Sequence, residues 1–159
     1  MQLQPCYRVR FHYTENWYIN HGAPQSVEGE TFGLIEGTCE GAITGKVRGA
    51  NHGHWRSDDL FVPDFQGIVE TTDGAIVYAD YRGYSRAEAE GGRTILVTGI
   101  HLSEDARYRW LNTTVCVGVG IVQTGESGRS ELVVDWFTIV WKPLPESWPP
   151  TPDADGNDR

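Results

Sequence analysis

A chain of 159 residues and 17.8 kDa has the size of one domain, enough to bury a sizeable core without disulfide staples. Its formal charge of −9, from 13 basic against 22 acidic residues, leaves no concentrated basic face, so nucleic acid is not an expected partner. No basic n-region with an apolar stretch opens the sequence, and the longest apolar run, Val115–Val122, holds two glycines; the chain is therefore expected to have no membrane partner and a cytoplasmic location.

In chain order, the first predicted element is a strand over Cys6–Tyr13. Its period-two alternation puts Tyr7, Val9, Phe11 and Tyr13 on one face and Arg8, Arg10 and His12 on the other. Thr14–Thr31 is polar and contains glycine, which predicts a long loop suited to covering a barrel mouth. Gly33–Gly41 and Ala42–Ala50 read as the next two strands, their glycines suggesting bulges or sharp bends. Phe65–Glu70 and Ala75–Arg82 flank Thr71-Thr72-Asp73-Gly74, and the Asp-Gly pair predicts a hairpin turn.

Gly83–Gly92 reads as a second long loop before a strand at Arg93–Ile100. Ser103 then caps a predicted helix, Glu104–Asn112, with Glu104 and Asp105 in its first turn, where the helix dipole favours acids. Val115–Val122 and Glu131–Trp141 are the last strands, joined by a polar loop at Thr124–Gly128. Residues 143–159 form a Pro-rich acidic tail, leaving residues 1–142 as a single domain. The fold class is thus all-β: a small closed antiparallel β-barrel of about eight strands with one short helix near one end, just wide enough inside for side chains or one small ligand. Cys6, Cys39 and Cys116 are widely spaced with no C-x-x-C, and read as buried small hydrophobes in a reducing compartment.

A set of motifs spans roughly Leu34 to Trp141. It comprises Glu36-Gly37-Thr38-Cys39-Glu40-Gly41, Asp64, Thr72-Asp73-Gly74-Ala75-Ile76-Val77-Tyr78, Arg82-Gly83, and Arg107-Tyr108-Arg109-Trp110-Leu111-Asn112 leading into Val117-Gly118-Val119-Gly120. In that order the chain resembles the family catalogued as domain of unknown function 3237. The resemblance implies a lipocalin-like or allene-oxide-cyclase-like barrel and no settled reaction.

Candidate site residues come from the second hairpin strand, where Tyr78, Asp80 and Arg82 share a face with Ile76, while Val77, Ala79 and Tyr81 share the other. Asp64 lies on a face of the first hairpin strand. Parity alone leaves open which set lines the cavity. If the polar set points inward, a phenol, carboxylates and a guanidinium converge, and burial and Arg82 pull carboxylate pKa values apart, as acid/base chemistry needs. The alternative is a solvated face with surface ion pairs. Glu36 and Glu40 are separated by about 13 Å along a strand, too far for a glycosidase pair; Glu40, beside Gly41, is the better candidate. Arg48, Asp64, Tyr108, Trp110 and Asn112 are candidate ligand contacts, although for the segment carrying the last three a structural role is favoured, with Trp110 beside Leu111 in the core and Asn112 as a cap.

The resulting expectation is a cofactor-independent enzyme of isomerase, cyclase or lyase type, with Asp80, Tyr78, Arg82 and Glu40 handling protons and substrate oxygens around a small organic molecule. A non-catalytic carrier or sensor barrel is the second reading. A metal-dependent barrel is the third: His52 and His54 point the same way if they lie on a strand, with His101, Asp58 or Asp59 as a third ligand. Trp136, Phe137 and Trp141 on the last strand suggest self-association as a dimer.

Overall fold

A computed structural model describes residues 2–89, 91–124 and 130–140. Its strands are β1 (Gln2–Asn20), β2 (Gly29–Gly41), β3 (Gly45–Asn51), β4 (His54–Trp55), β5 (Phe61–Val62), β6 (Asp64–Thr71), β7 (Ile76–Ala87), β8 (Arg93–Leu102), β9 (Cys116–Thr124) and β10 (Ser130–Val140). Eight of them close a ring in the order β1-β10-β9-β8-β7-β6-β3-β2 and back to β1, antiparallel throughout. The remaining two, β4 and β5, bridge β2 to β7 at one end of the ring. Closure removes the sheet edges that an open sheet would present.

The alternation seen in the sequence sets the interior. Tyr7, Val9 and Phe11 of β1, Ile35 and Cys39 of β2, Val77, Ala79 and Tyr81 of β7, and Val134 and Trp136 of β10 are all buried. Trp136 crosses this interior between Tyr7, Tyr81 and His101. Space for it comes from Gly99 and Gly118, where a Cβ would lie 2.9 Å and 3.1 Å from its ring. The Asp73-Gly74 hairpin forms as expected: Gly74 adopts φ +87°, and Thr71 closes the turn by accepting from Gly74 N at 3.0 Å. All three cysteines are free and buried. Burial pushes the Cys39 thiol up to about 11 and the Cys116 thiol up to about 12, so neither is a nucleophile at neutral pH.

Three local expectations are corrected. Thr14–Thr31 is not a loop: β1 continues to Asn20 and pairs with β2 from Gly29, with a register shift between Tyr13 and Glu15. The β1 half of this ribbon, Thr14–Asn20, is exposed throughout, and the buried positions facing it on β2 are glycines, Gly29 and Gly33, so no apolar alternation marks the sequence. Half of Gly83–Gly92 is likewise strand, because β7 runs on to Ala87 against β8 before the chain turns. The predicted helix at Glu104–Asn112 shrinks to turns and a 3₁₀ segment, Arg109–Thr113. Side chains compete there for the backbone: Ser103 Oγ donates to Ile76 O at 2.7 Å, and Asp105 Oδ1 accepts from Arg107 N at 3.0 Å. Tyr108 and Leu111 from this segment still plug the barrel end, together with Ile43. The Gly125–Gly128 part of the predicted last loop, Trp141 and the tail lie outside the described residues.

Candidate functional site

Opposite the plugged end, the barrel opens into a cavity of about 250 Å³. Phe11 and Tyr13 of β1, Asn51 of β3, Tyr81 and Ser85 of β7, Arg93 and Ile95 of β8 and Leu132 and Val134 of β10 supply its walls, and Trp55 and Phe61 of β4 and β5 roof it. This volume suits one small organic molecule. Among its described lining residues, Arg93 is the only charged side chain; no carboxylate, imidazole or thiol reaches it.

Arg93 is one-fifth exposed and held on several sides. Its guanidinium lies 4.5 Å from the Trp55 ring centroid. Nη2 donates to Ser85 O at 2.7 Å and to Asp59 O at 3.0 Å, and Nε donates to Ser85 Oγ at 3.2 Å. Tyr13 is held from the other wall. Its hydroxyl accepts from Asn51 Nδ2 at 2.7 Å, while Asn51 Oδ1 accepts from Asp64 N at 2.9 Å. That leaves the Tyr13 proton without an acceptor among the described residues. Burial raises the Tyr13 pKa, with the Asn51 hydrogen bond pulling the other way. Tyr81 is raised well above its ordinary value by burial and by the neighbouring Tyr13. Both phenols are therefore protonated donors at neutral pH.

Parity is resolved in favour of the apolar set, so Tyr78, Asp80 and Arg82 face away from the cavity. The structure does bring them close to one another, on the outer wall: Tyr78 OH donates to Asp80 Oδ2 at 3.4 Å, and Arg82 Nε to Asp64 Oδ1 at 3.0 Å. Arg48 pairs with Glu70 at 2.7 Å on the same outer surface. Glu40 is exposed opposite Arg8, outside the ring. Exposed pairs of this kind contribute about 0–1 kcal/mol each. Tyr108 belongs to the plug and donates to Asp73, Trp110 is exposed, and Asn112 clasps the backbone of Ser103.

His52 and His54 do not converge. His52 stacks on Phe32 at 4.8 Å, whereas His54 turns to Glu30. His101 lies inside the barrel, bonded to Tyr7 at 2.7 Å, and Asp59 faces Arg93 at the mouth.

The cavity residues Tyr13, Tyr81, Asn51 and Arg93 went unselected in the sequence. A signal was present, since Tyr13 and Tyr81 sit on the apolar parity of their strands, where a hydroxyl must enter the core or a cavity.

The family model described as "Protein of unknown function (DUF3237)" matches residues 1–139. The chain belongs to the DUF3237 family. Solved structures share the fold of this DUF3237 protein. A β-barrel-like protein from Acinetobacter baumannii AYE is 24% identical over 86% of this chain and 94% of its own, with a TM-score of 0.72. A protein of unknown function from Clostridium acetobutylicum ATCC 824 is 15% identical over 88% and 100%, with a TM-score of 0.75. A protein described as an enzyme, from Penicillium herquei, is 15% identical over 87% and 94%, with a TM-score of 0.65. No curated protein matches this DUF3237 chain. Among its described residues, no helix is long and apolar enough to cross a membrane.

Proposed function

We propose that the protein is a cofactor-independent enzyme of isomerase, cyclase or lyase type, acting on a small, largely apolar molecule that carries a carbonyl or carboxylate oxygen. The observation carrying this reading is the Tyr13 hydroxyl, anchored by Asn51 and with no acceptor for its own proton among the described residues, in a cavity whose only charged side chain among the described lining residues is Arg93. Arg93 and Asn51 orient the substrate oxygen. Tyr13 gives its proton to the site where negative charge develops and recovers it as the product forms. The fold shared with a protein described as an enzyme is consistent with this reading. A carrier is the second reading, favoured by the absence of carboxylate, imidazole and thiol from the described lining.

The test is incubation with a small-molecule extract, followed by mass spectrometry of retained and converted compounds. Wild-type protein is expected to retain a compound and convert it. Tyr13→Phe should retain the same compound and convert it at least about 100-fold more slowly. Recovery of the retained compound unchanged by wild type would establish the carrier. Retention unaffected by Arg93→Met would remove the cavity from either role.

The proposal includes a homodimer in a reducing, cytoplasmic setting, which the buried free thiols suit. Trp136 is turned inward and offers nothing to an interface. The outer face of β7, β8 and β9 offers more: Tyr84, Leu96 and Val119 lie side by side across the three strands, at 53%, 56% and 47% exposure. Light scattering should give a dimer mass for wild type and a monomer mass for Leu96→Glu; a monomeric wild type ends this part of the proposal.

A further inference from the structure

Outside the cavity, one group of side chains converges on a point. His21 directly follows β1, Glu30 lies near the start of β2, and His54 opens β4. Glu30 Oε1 is 2.9 Å from His54 Nδ1 and 3.5 Å from His21 Nε2, and the three donor atoms lie within 4.8 Å of one another. The two imidazoles stack at 6.0 Å between centroids, with planes 20° apart. Tetrahedral zinc, with bonds of about 2.0–2.2 Å, sets its donor atoms roughly 3.3–3.5 Å apart. The spacings found here, from 2.9 Å to at most 4.8 Å, bracket that range.

We propose that His21, Glu30 and His54 bind one divalent transition-metal ion of the zinc class. Two nitrogen donors and one carboxylate match that class better than calcium or magnesium, which take oxygen ligands. Backbone bonds hold the frame. Glu30 and His54 are register partners between β2 and β4, and Thr31 N donates to Gly53 O at 2.6 Å beside them. His21 N and Gly22 N both donate to Glu28 O at 3.3 Å, and Asn20 Nδ2 donates to Ser26 O at 2.7 Å, which fastens the turn carrying His21. The three side chains are half-exposed, so a fourth ligand is water.

Glu30 and His54 lie on the face of the β2–β4 pair opposite the cavity-lining Trp55. The ion therefore acts as a clamp and takes no part in chemistry inside the barrel. It ties the β1–β2 ribbon to β4, whose other residue, Trp55, stacks on Arg93.

The experiment uses tag-free full-length protein, stripped with chelator and titrated calorimetrically with Zn²⁺. One ion per chain is expected. Glu30→Gln and His54→Ala should each weaken binding by about 100-fold or more, since even an outer-shell partner of a metal site is worth up to that much. His52→Ala, whose ring stacks on Phe32, should bind as wild type does. Amide exchange with Zn²⁺ present should slow within residues 20–31 and 53–56. Absence of saturable binding below about 1 mM, or equal binding by wild type, Glu30→Gln and His54→Ala, would overturn the site. Unchanged exchange in those segments with zinc bound would overturn the clamp.

Discussion

Acidification from pH 7 to pH 4 is expected to cost about 3 kcal/mol of stability through His101 alone. Burial lowers its pKa from the ordinary 6.5 to about 4 in the folded protein. Between those values the unfolded chain takes up a proton that the folded chain refuses. The stability is thus fully present above pH 6.5, falls as pH drops, and levels off below about 4. The cause lies in the surroundings. His101 is 1% exposed, meets Trp136 edge-on, makes one hydrogen bond, to Tyr7, and leaves Nδ1 without a partner among the described residues. A second N–H on a cationic ring would have nothing to donate to.

Urea midpoints at pH 7, 5.5 and 4.5 should show the fall, and His101→Gln should be less stable at pH 7 but flat across the same window. Identical wild-type midpoints at pH 7 and 4.5 would refute the assignment. The carboxylates titrate separately. Asp73, held down first by Thr71, and Asp135, held down first by Arg8, contribute stability above the ordinary aspartate value of 3.8 and lose it only below that.

Trp136→Ala is expected to be the costliest single truncation, at about 3–5 kcal/mol, a large share of a typical domain's 5–15 kcal/mol. Its side chain is 2% exposed and lies over Gly99 and Gly118, which have no side chains to move into the space it leaves. The same geometry predicts a coupling. Gly99→Ala in wild type brings a methyl within 2.9 Å of Trp136 and should destabilise. In the Trp136→Ala background that methyl meets only Asp80 O, at 3.2 Å, so most of its cost should disappear. A double-mutant cycle by urea unfolding measures the difference, and strict additivity would show that Gly99 is not there to admit the indole.

The fold was legible because burial on one side of a strand writes period two into its sequence. Cys6–Tyr13, Phe65–Glu70 and Arg93–Ile100 all lie within observed strands, and the Asp73-Gly74 turn falls where it was expected. Where burial is not one-sided the signal fades. The outer half of β1, Thr14–Asn20, is wet on both faces and reads like a loop, and the segment after Ser103 has helix-capping chemistry that its side chains spend on turns.

The candidate site was less legible, for a related reason. Tyr78, Asp80 and Arg82 carry the chemistry that a site search looks for, yet they occupy the polar parity, and in this barrel that parity is solvent. Tyr13 and Tyr81 share rows with Phe11, Val77 and Ala79, so they read as core until the cavity beside them is seen. Likewise, Glu30, His21 and His54 are brought together only by the β2–β4 pairing and the return of the ribbon, which no local spacing encodes.

Ring closure also orders events in time. β1 pairs with β2 through residues 7–20 and with β10 through residues 2–11, so one strand seals the seam between opposite ends of the domain. During synthesis β1 and β2 meet early, while β10 follows on the order of ten seconds later. For that interval Gln2–Pro5 and their neighbours present unpaired backbone to the cell. Exchange of β10 between two chains is then the natural misassembly, and refolding at high protein concentration should reveal it as a slow, concentration-dependent phase.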